Sequence, residues 1–382
     1  MSLHSSKMFA GVAALAAIVA VVGCGTNNTS SNATSNSASN GTSAGAGNAS
    51  TTGPVSLSES GSSLLYPLFN DQWISAYQSA NSNVQMTAAS TGSGTGISQA
   101  IAGTVDIGAS DAYLADAQMQ QSPGMLNIPV AISAQQIMYN LPGVKGHLKL
   151  SGDVIAQIYE GKIKFWDDSA IRALNPGVTL PHQGIIPITR SDSSGDTFLF
   201  TQFLTDTNTT WKNSTAYGTS VSWPSLSSEV GAKGNNGVVD ALAKNKYSIG
   251  YVGISWLSKA TQQGLGYAAL QNKDGKFVLP TAADIQAAAS QGAQNVPKDE
   301  RISLIYEPGA NSYPIINFEY LIVKQTQKNA SYATAMKDFL NWAIDPSKGN
   351  SSKYLAPVNF LPLPSNVEPL SQAQINSIQA GQ

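Results

Sequence analysis

From Val55 onward the chain alternates two hydrophobic periods, and this alternation restricts the fold more than any other feature. "VSLSES" (Val55–Ser60) has the period of a strand, "LLYPLFNDQWISAYQSA" carries apolar residues at helical spacing, and "NVQMTAAS" reads as a second strand. The unit then recurs as a loop "TGSGTG", a short helix "ISQAIAG" and a strand "VDIGAS" running up to Asp111. Strands that alternate with helices pair mostly in parallel, and in such sheets ligands sit beyond the carboxyl ends of the strands. The expectation is an α/β fold. No internal repeat of roughly 20–50 residues is visible.

Three loops share one design. "ESGSSLLYP" (Glu59–Pro67), "STGSGTGI" (Ser90–Ile97) and "RSDSSGDTF" (Arg190–Phe198) each put small hydroxyl residues and glycine where a helix starts. The first N–H groups of a helix lack intrahelical partners and carry partial positive charge, so such loops can cradle an anion. Any one of them could be an ordinary Ser/Thr cap or glycine turn. Three together, one with an arginine, suit a tetrahedral oxyanion held through hydrogen bonds.

Length and charge narrow the alternatives. The 382 residues, 42% hydrophobic and 8% aromatic, suffice for two domains with separate cores. Charged residues make up 12% with a net charge of −2, so there is no broad basic surface for nucleic acid, and the sparse charge suits an exported protein in an acidic medium. The three histidines, His4, His147 and His182, are scattered, which argues against a hydrolase or phosphatase built on a nucleophile and base or on a metal cluster. Metalloprotease, nucleophile-elbow and P-loop patterns do not occur, and in "TGSGTG" Ile97 stands where a dinucleotide fingerprint needs its third glycine. The aromatic run "FLFTQF" (Phe198–Phe203) has core spacing. No catalytic residue, metal or cofactor is expected.

The N-terminus reads as an export signal (residues 1–23): Lys7 precedes an apolar run from Met8 to Val22, shorter than the ~20 residues that span a bilayer. It ends in "VVGC", placing the single cysteine, Cys24, as in a bacterial lipobox, where it would carry the lipid that anchors the chain to the outer face of the cytoplasmic membrane. With Cys24 so used, no disulfide can form within the chain, and a cysteine nucleophile or thiolate metal site is excluded. Residues 24–54 form a tether of Ser, Thr, Asn, Gly and Ala, too poor in apolar surface to fold.

The blocks "GSSLLYPLFNDQW", "TGSGTGISQAIAGTVDIGASDAYL", "GKIKFWDDSAIRALNPG", "RSDSSGDTFLFTQFL", "YSIGYVGISWL" and "YPIINFEYLIV" resemble the phosphate-binding lipoproteins of bacterial ABC-type uptake, the PstS family, from about Val55 to the C-terminus. The resemblance implies a monomer that binds inorganic phosphate and delivers it to a membrane permease driven by cytoplasmic ATPase subunits. It implies hydroxyl and N–H donors at Ser62, Ser63 and Leu64, a serine at Ser93, a carboxylate at Asp111, and an arginine followed by a turn at Arg190, Ser194, Gly195 and Asp196. Many relatives have threonine at the last position, which leaves open whether Asp196 offers its side chain or only its N–H; the part played by Asp192 is equally open.

The chemistry fits that set. Phosphate keeps a proton to donate, whereas sulfate at neutral pH has only acceptor oxygens, so a buried carboxylate at Asp111 holds one and repels the other. Arg190, with a fork that matches tetrahedral oxyanions, offsets charge. The expected architecture is a periplasmic-binding-protein-like two-lobe clamshell, each lobe a mostly parallel sheet flanked by helices, with a two-strand hinge: residues 55–136 and 313–382 in lobe 1, 137–312 in lobe 2. Ser62, Ser93 and Asp111 then face Arg190 and Ser194 across the cleft. A surface adhesin or signalling antigen would fit the anchor and tether equally well.

Overall fold

The computed structural model describes residues 54–381. The expected signal peptide, Cys24, the tether up to residue 53 and His4 lie outside the described residues.

Strand β1 (Val55–Gly61) lies between β2 (Val84–Thr87) and β3 (Ile107–Ser110), parallel to both. Its alternation is visible as burial, with Val55 and Leu57 inside and Ser56 exposed, until the strand enters the interior and both faces are covered. The helical stretch after it runs through a π-helical segment (Leu68–Trp73) into α1 (Ile74–Ala80), and Phe69, Trp73 and Tyr77 bury one face. That face meets α5 (Ala330–Ile344), where Phe339 lies 5.2–6.2 Å from all three rings, a spacing at which edge and tilted aromatic pairs attract. Between β2 and β3 runs α2 (Ser93–Ala102).

Strand β4 (Met125–Tyr139) runs through Pro129. Proline has no N–H for a ladder and is tolerated at a bulge. A bulge is what β4 has there. Its neighbour β8 (Ile316–Lys324) pairs Glu319 with Ala131 and Tyr320 with Pro129, bypassing Val130, whose carbonyl accepts the Asn350 amide instead.

Partners along β4 change once. Residues up to Ala134 pair with β8, and Gln135 to Tyr139 pair with β7 (Ser248–Gly253), antiparallel in both cases. Beyond β7 come β5 (Ile186–Arg190) and β6 (Val230–Ala232), both parallel to it in direction, giving the order β2-β1-β3-β8-β4-β7-β5-β6. Helix α3 (Gly195–Thr207) follows β5 and α4 (Gly234–Lys244) follows β6. The result is a two-lobe α/β clamshell: each lobe holds three parallel strands, and β4, with β8 along its first half, runs from one to the other.

The stretch 293–301 fastens to the first-lobe side. Asn366 donates to the Ala293 carbonyl at 2.6 Å, Arg301 reaches Asp116 at 2.7 Å, and Glu300 accepts Ser371 of α6 (Glu368–Asn376) at 2.7 Å. Among the described residues no helix is long and apolar enough to cross a membrane.

Candidate functional site

The carboxyl ends of β1, β3 and β5 converge with the N-termini of α2 and α3, and the residues singled out from sequence lie there in one connected set. Asp111, at the end of β3, is buried (2% exposed). Its Oδ1 accepts a short hydrogen bond from the Ser62 hydroxyl, and its Oδ2 accepts the Ser93 hydroxyl at 3.4 Å. Ser62 Oγ in turn accepts the N–H groups of Leu64 and Leu65 at 3.0 Å, so the helix start after β1 is capped by the same hydroxyl that touches the acid.

Opposite Asp111 stands the N-terminus of α3. Ser194 caps it, accepting the Thr197 N–H at 3.4 Å, and leaves the N–H groups of Gly195 and Asp196 as the first of the helix, without intrahelical partners. Gly195 is required by proximity: a Cβ there would lie 2.4 Å from Asp111 Oδ2 and 2.6 Å from Ser93 Oγ. The aromatic run behind it anchors the helix, with Phe200 and Phe203 fully buried and Phe200 stacked on Tyr251 at 4.4 Å.

Arg190 is clamped rather than free. Its Nε and Nη2 grip Asp192 at 2.8 and 2.6 Å, and its Nη1 reaches Asp196 Oδ2 at 2.8 Å. Both oxygens of Asp196 are taken, Oδ1 by Gln135 at 3.0 Å and Oδ2 by Arg190 and by Asn235 at 2.6 Å. The side chain of Asp196 is therefore fully engaged by its own neighbours. Asn235, at the start of α4, also donates to Ser63 Oγ at 2.9 Å from its side chain and 3.0 Å from its backbone. Gln135 and Asn235 were not legible beforehand: neutral amides far apart in sequence leave no local pattern, and the "GNNG" at a helix start is the one faint signal.

The charges are shaped by burial. Desolvation pushes Asp111 up to about 7, assisted by the negative charge of Asp196, with the Ser62 hydrogen bond and the Arg190 charge pulling the other way. Burial also raises Asp196 against the pull of Arg190, Gln135 and Asn235. For Asp192 burial is outweighed by the Arg190 fork, which holds this carboxyl below its usual range. One cation thus sits between two acids, and the amide dipoles rather than a net positive charge are what the cluster offers an anion.

The two lobes touch through these same loops. Gly94 donates its N–H to the Ser193 carbonyl at 3.1 Å, Trp256 Nε1 donates to the Ser63 carbonyl at 2.8 Å, and Tyr113 meets Phe198 edge-on at 5.7 Å. A separate, more apolar groove of about 640 Å³, lined by Ile158, Lys164, Pro187 and Leu226, lies away from these loops and gathers none of the expected residues. Among the described residues no group of His, Cys, Asp and Glu is arranged to hold a metal ion.

Comparison with known proteins places this arrangement. A family model described as the PBP superfamily domain matches residues 41–347. A phosphate-binding protein PstS of Pasteurella multocida is 37% identical over 320 residues, covering 84% of this chain and 89% of the relative. One from Methanocaldococcus jannaschii is 35% identical, covering 82% and 84%. In structure, a high-affinity periplasmic phosphate-binding protein bound with phosphate superposes with a TM-score of 0.67 at 22% identity, covering 84% of this chain and 93% of that one. A phosphate-binding protein from Stenotrophomonas maltophilia gives 0.62 at 21%, with coverage of 84% and 93%. Fold and facing loops define a binding protein of the two-lobe clamshell class. Within that class, the chain belongs to the PstS family of phosphate-binding proteins.

Proposed function

We propose that this protein is an extracytoplasmic solute-binding protein, not an enzyme, that captures inorganic phosphate between its lobes and delivers it to an ABC permease. The observation that carries this reading is the convergence of a buried proton-accepting acid, Asp111, with the uncommitted N–H groups of Gly195 and Asp196. A phosphate oxygen bearing a proton donates it to Asp111, and its bare oxygens accept those N–H groups together with the hydroxyls of Ser63, Ser93 and Ser194. Leu64 lends its N–H once Ser62 turns to the ligand. Arg190, held by Asp192 and Asp196, supplies a directed N–H fork.

Residues 55–136 with 313–382 serve as one lobe and 137–312 as the other, except that the stretch 293–301 packs against the first, and closure brings the donors together around the ligand. Cys24 carries the lipid anchor, and the chain works as a monomer without a cofactor. Support for transport rather than adhesion comes from the donor set, which suits a small tetrahedral solute.

Calorimetric titration of the purified, ligand-stripped protein tests the reading directly. Saturable binding of phosphate with sulfate at least about 100-fold weaker is expected, and a protein that ignores phosphate at millimolar concentration would overturn it. Copurification of a permease and poor growth of a deletion strain on limiting phosphate separate transport from an adhesin role.

A further inference from the structure

Behind Asp111 lies a second acid for which the phosphate-binding reading has no use. Glu319, on β8, is 0% exposed. Its Oε1 lies 2.5 Å from Ser133 Oγ and 3.0 Å from Asn317 Nδ2, and its Oε2 is buried with no hydrogen-bond partner among the described residues. The hydrogen count around it is short by one. Ser133 has a single hydroxyl proton but contacts two acceptors, Asn317 Oδ1 at 2.7 Å and Glu319 Oε1. Asn317 ties the pair to the site, since its amide reaches both the Asp111 carbonyl at 3.4 Å and Glu319.

Among the described residues no cation relieves this group. β3 brings only Asp111 to it; β4 brings Ser133; α2, packed over β8, has no titratable side chain; and Asp284 of the nearby helix 282–292 is engaged by Thr281 at 2.6 Å. A buried carboxylate beside another, with no cation and an orphaned oxygen, is stable only if one of the two keeps a proton.

We propose that Glu319 is a positioning residue that keeps a proton behind Asp111 and donates to it, so that Asp111 meets the ligand as the charged partner that accepts phosphate and turns sulfate away. The proposal rests on the phosphate-binding reading. Burial and the neighbouring Asp111 both push Glu319 well above the usual carboxylate range, in keeping with a retained proton. With the donor removed, Asp111 stays protonated to higher pH, and a protonated Asp111 can donate to sulfate as readily as to phosphate.

The test compares Glu319→Gln, which keeps a neutral donor, with Glu319→Leu, which keeps the bulk but not the donor. The phosphate-to-sulfate affinity ratio is measured by calorimetry from pH 5 to 9. Glu319→Gln should retain the wild-type ratio and pH profile, and Glu319→Leu should lose at least about tenfold at pH 7, with the onset of sulfate rejection moved to higher pH. A wild-type profile in Glu319→Leu, or an equal loss in both variants, overturns the proposal. Should Glu319→Leu not fold, infrared difference spectra of wild type against Glu319→Gln at pH 7 decide: a protonated-carboxyl C=O band lost in the variant supports the proposal, and its absence from wild type refutes it. Wild-type protein that binds no phosphate overturns the underlying reading as well. Loss of discrimination in Asp111→Asn but not in Glu319→Leu overturns this inference alone.

Discussion

Asp111 combines two roles that pull against each other, and substitution separates them. Asp111→Asn removes the acceptor of the ligand proton, so the phosphate-to-sulfate ratio should fall in competition calorimetry; an unchanged ratio would rule out the role. The same change should stabilise the ligand-free fold. Because burial lifts Asp111 to about 7, the folded chain holds a proton that the unfolded chain has already released, so stability falls as pH rises from the ordinary carboxylate range to about 7. The Asn variant has no such loss, so its melting temperature should exceed wild type at pH 8 and converge with it near pH 4. Arg190→Ala should weaken phosphate binding by roughly 2–5 kcal/mol, the cost of truncating one partner of a buried pair. It should also lower thermal stability, because Asp192 and Asp196 lose the cation they share. A loss of affinity below about 0.5 kcal/mol would place Arg190 outside the site.

At the scale of elements, α3 matters most, and its tightest point is Gly195. The methyl of Gly195→Ala would press on Asp111 and Ser93, an overpacking of about 1–3 kcal/mol. Phosphate affinity should drop by about tenfold or more with little change in the far-ultraviolet dichroism, and wild-type affinity would show that the two elements are not so close in solution. This helix start was readable in the sequence because serine, glycine and an acid before an apolar run state their purpose locally, as do the loops at Ser62 and Ser93. What was not readable depends on distance. The course of β4 through Pro129 is one case, since a proline argues against a strand until a bulge provides for it. Asn235 and Gln135, which occupy the Asp196 side chain, and Glu319, behind Asp111, act across 39, 61 and about 200 residues, where no spacing rule reaches.

For the whole molecule, buried acids set the balance. Glu59, Asp111, Asp196, Glu300 and Glu319 are all raised chiefly by burial, with Glu300 reaching about 8, whereas Asp192 and the half-buried Asp345 are lowered. The folded chain therefore binds more protons than the unfolded one between about pH 4 and 8, and the ligand-free protein should gain stability as pH falls through that window. Urea denaturation at pH 5 and pH 8 checks this: a midpoint equal at both, or higher at pH 8, would contradict it. Phosphate at about 100 times its dissociation constant should add about 2.7 kcal/mol at either pH.

The partner change within β4 has a mechanical side. One continuous strand serves both lobes, and Gln135 N–H is bonded to the Ile315 carbonyl at the crossing, so any opening of the lobes would bend a paired ribbon and not swing a loose linker. Any such bend moves Asp111 and the start of α3 apart together. A tetrahedral guest is thus gauged from two sides in one motion, and half an embrace holds nothing.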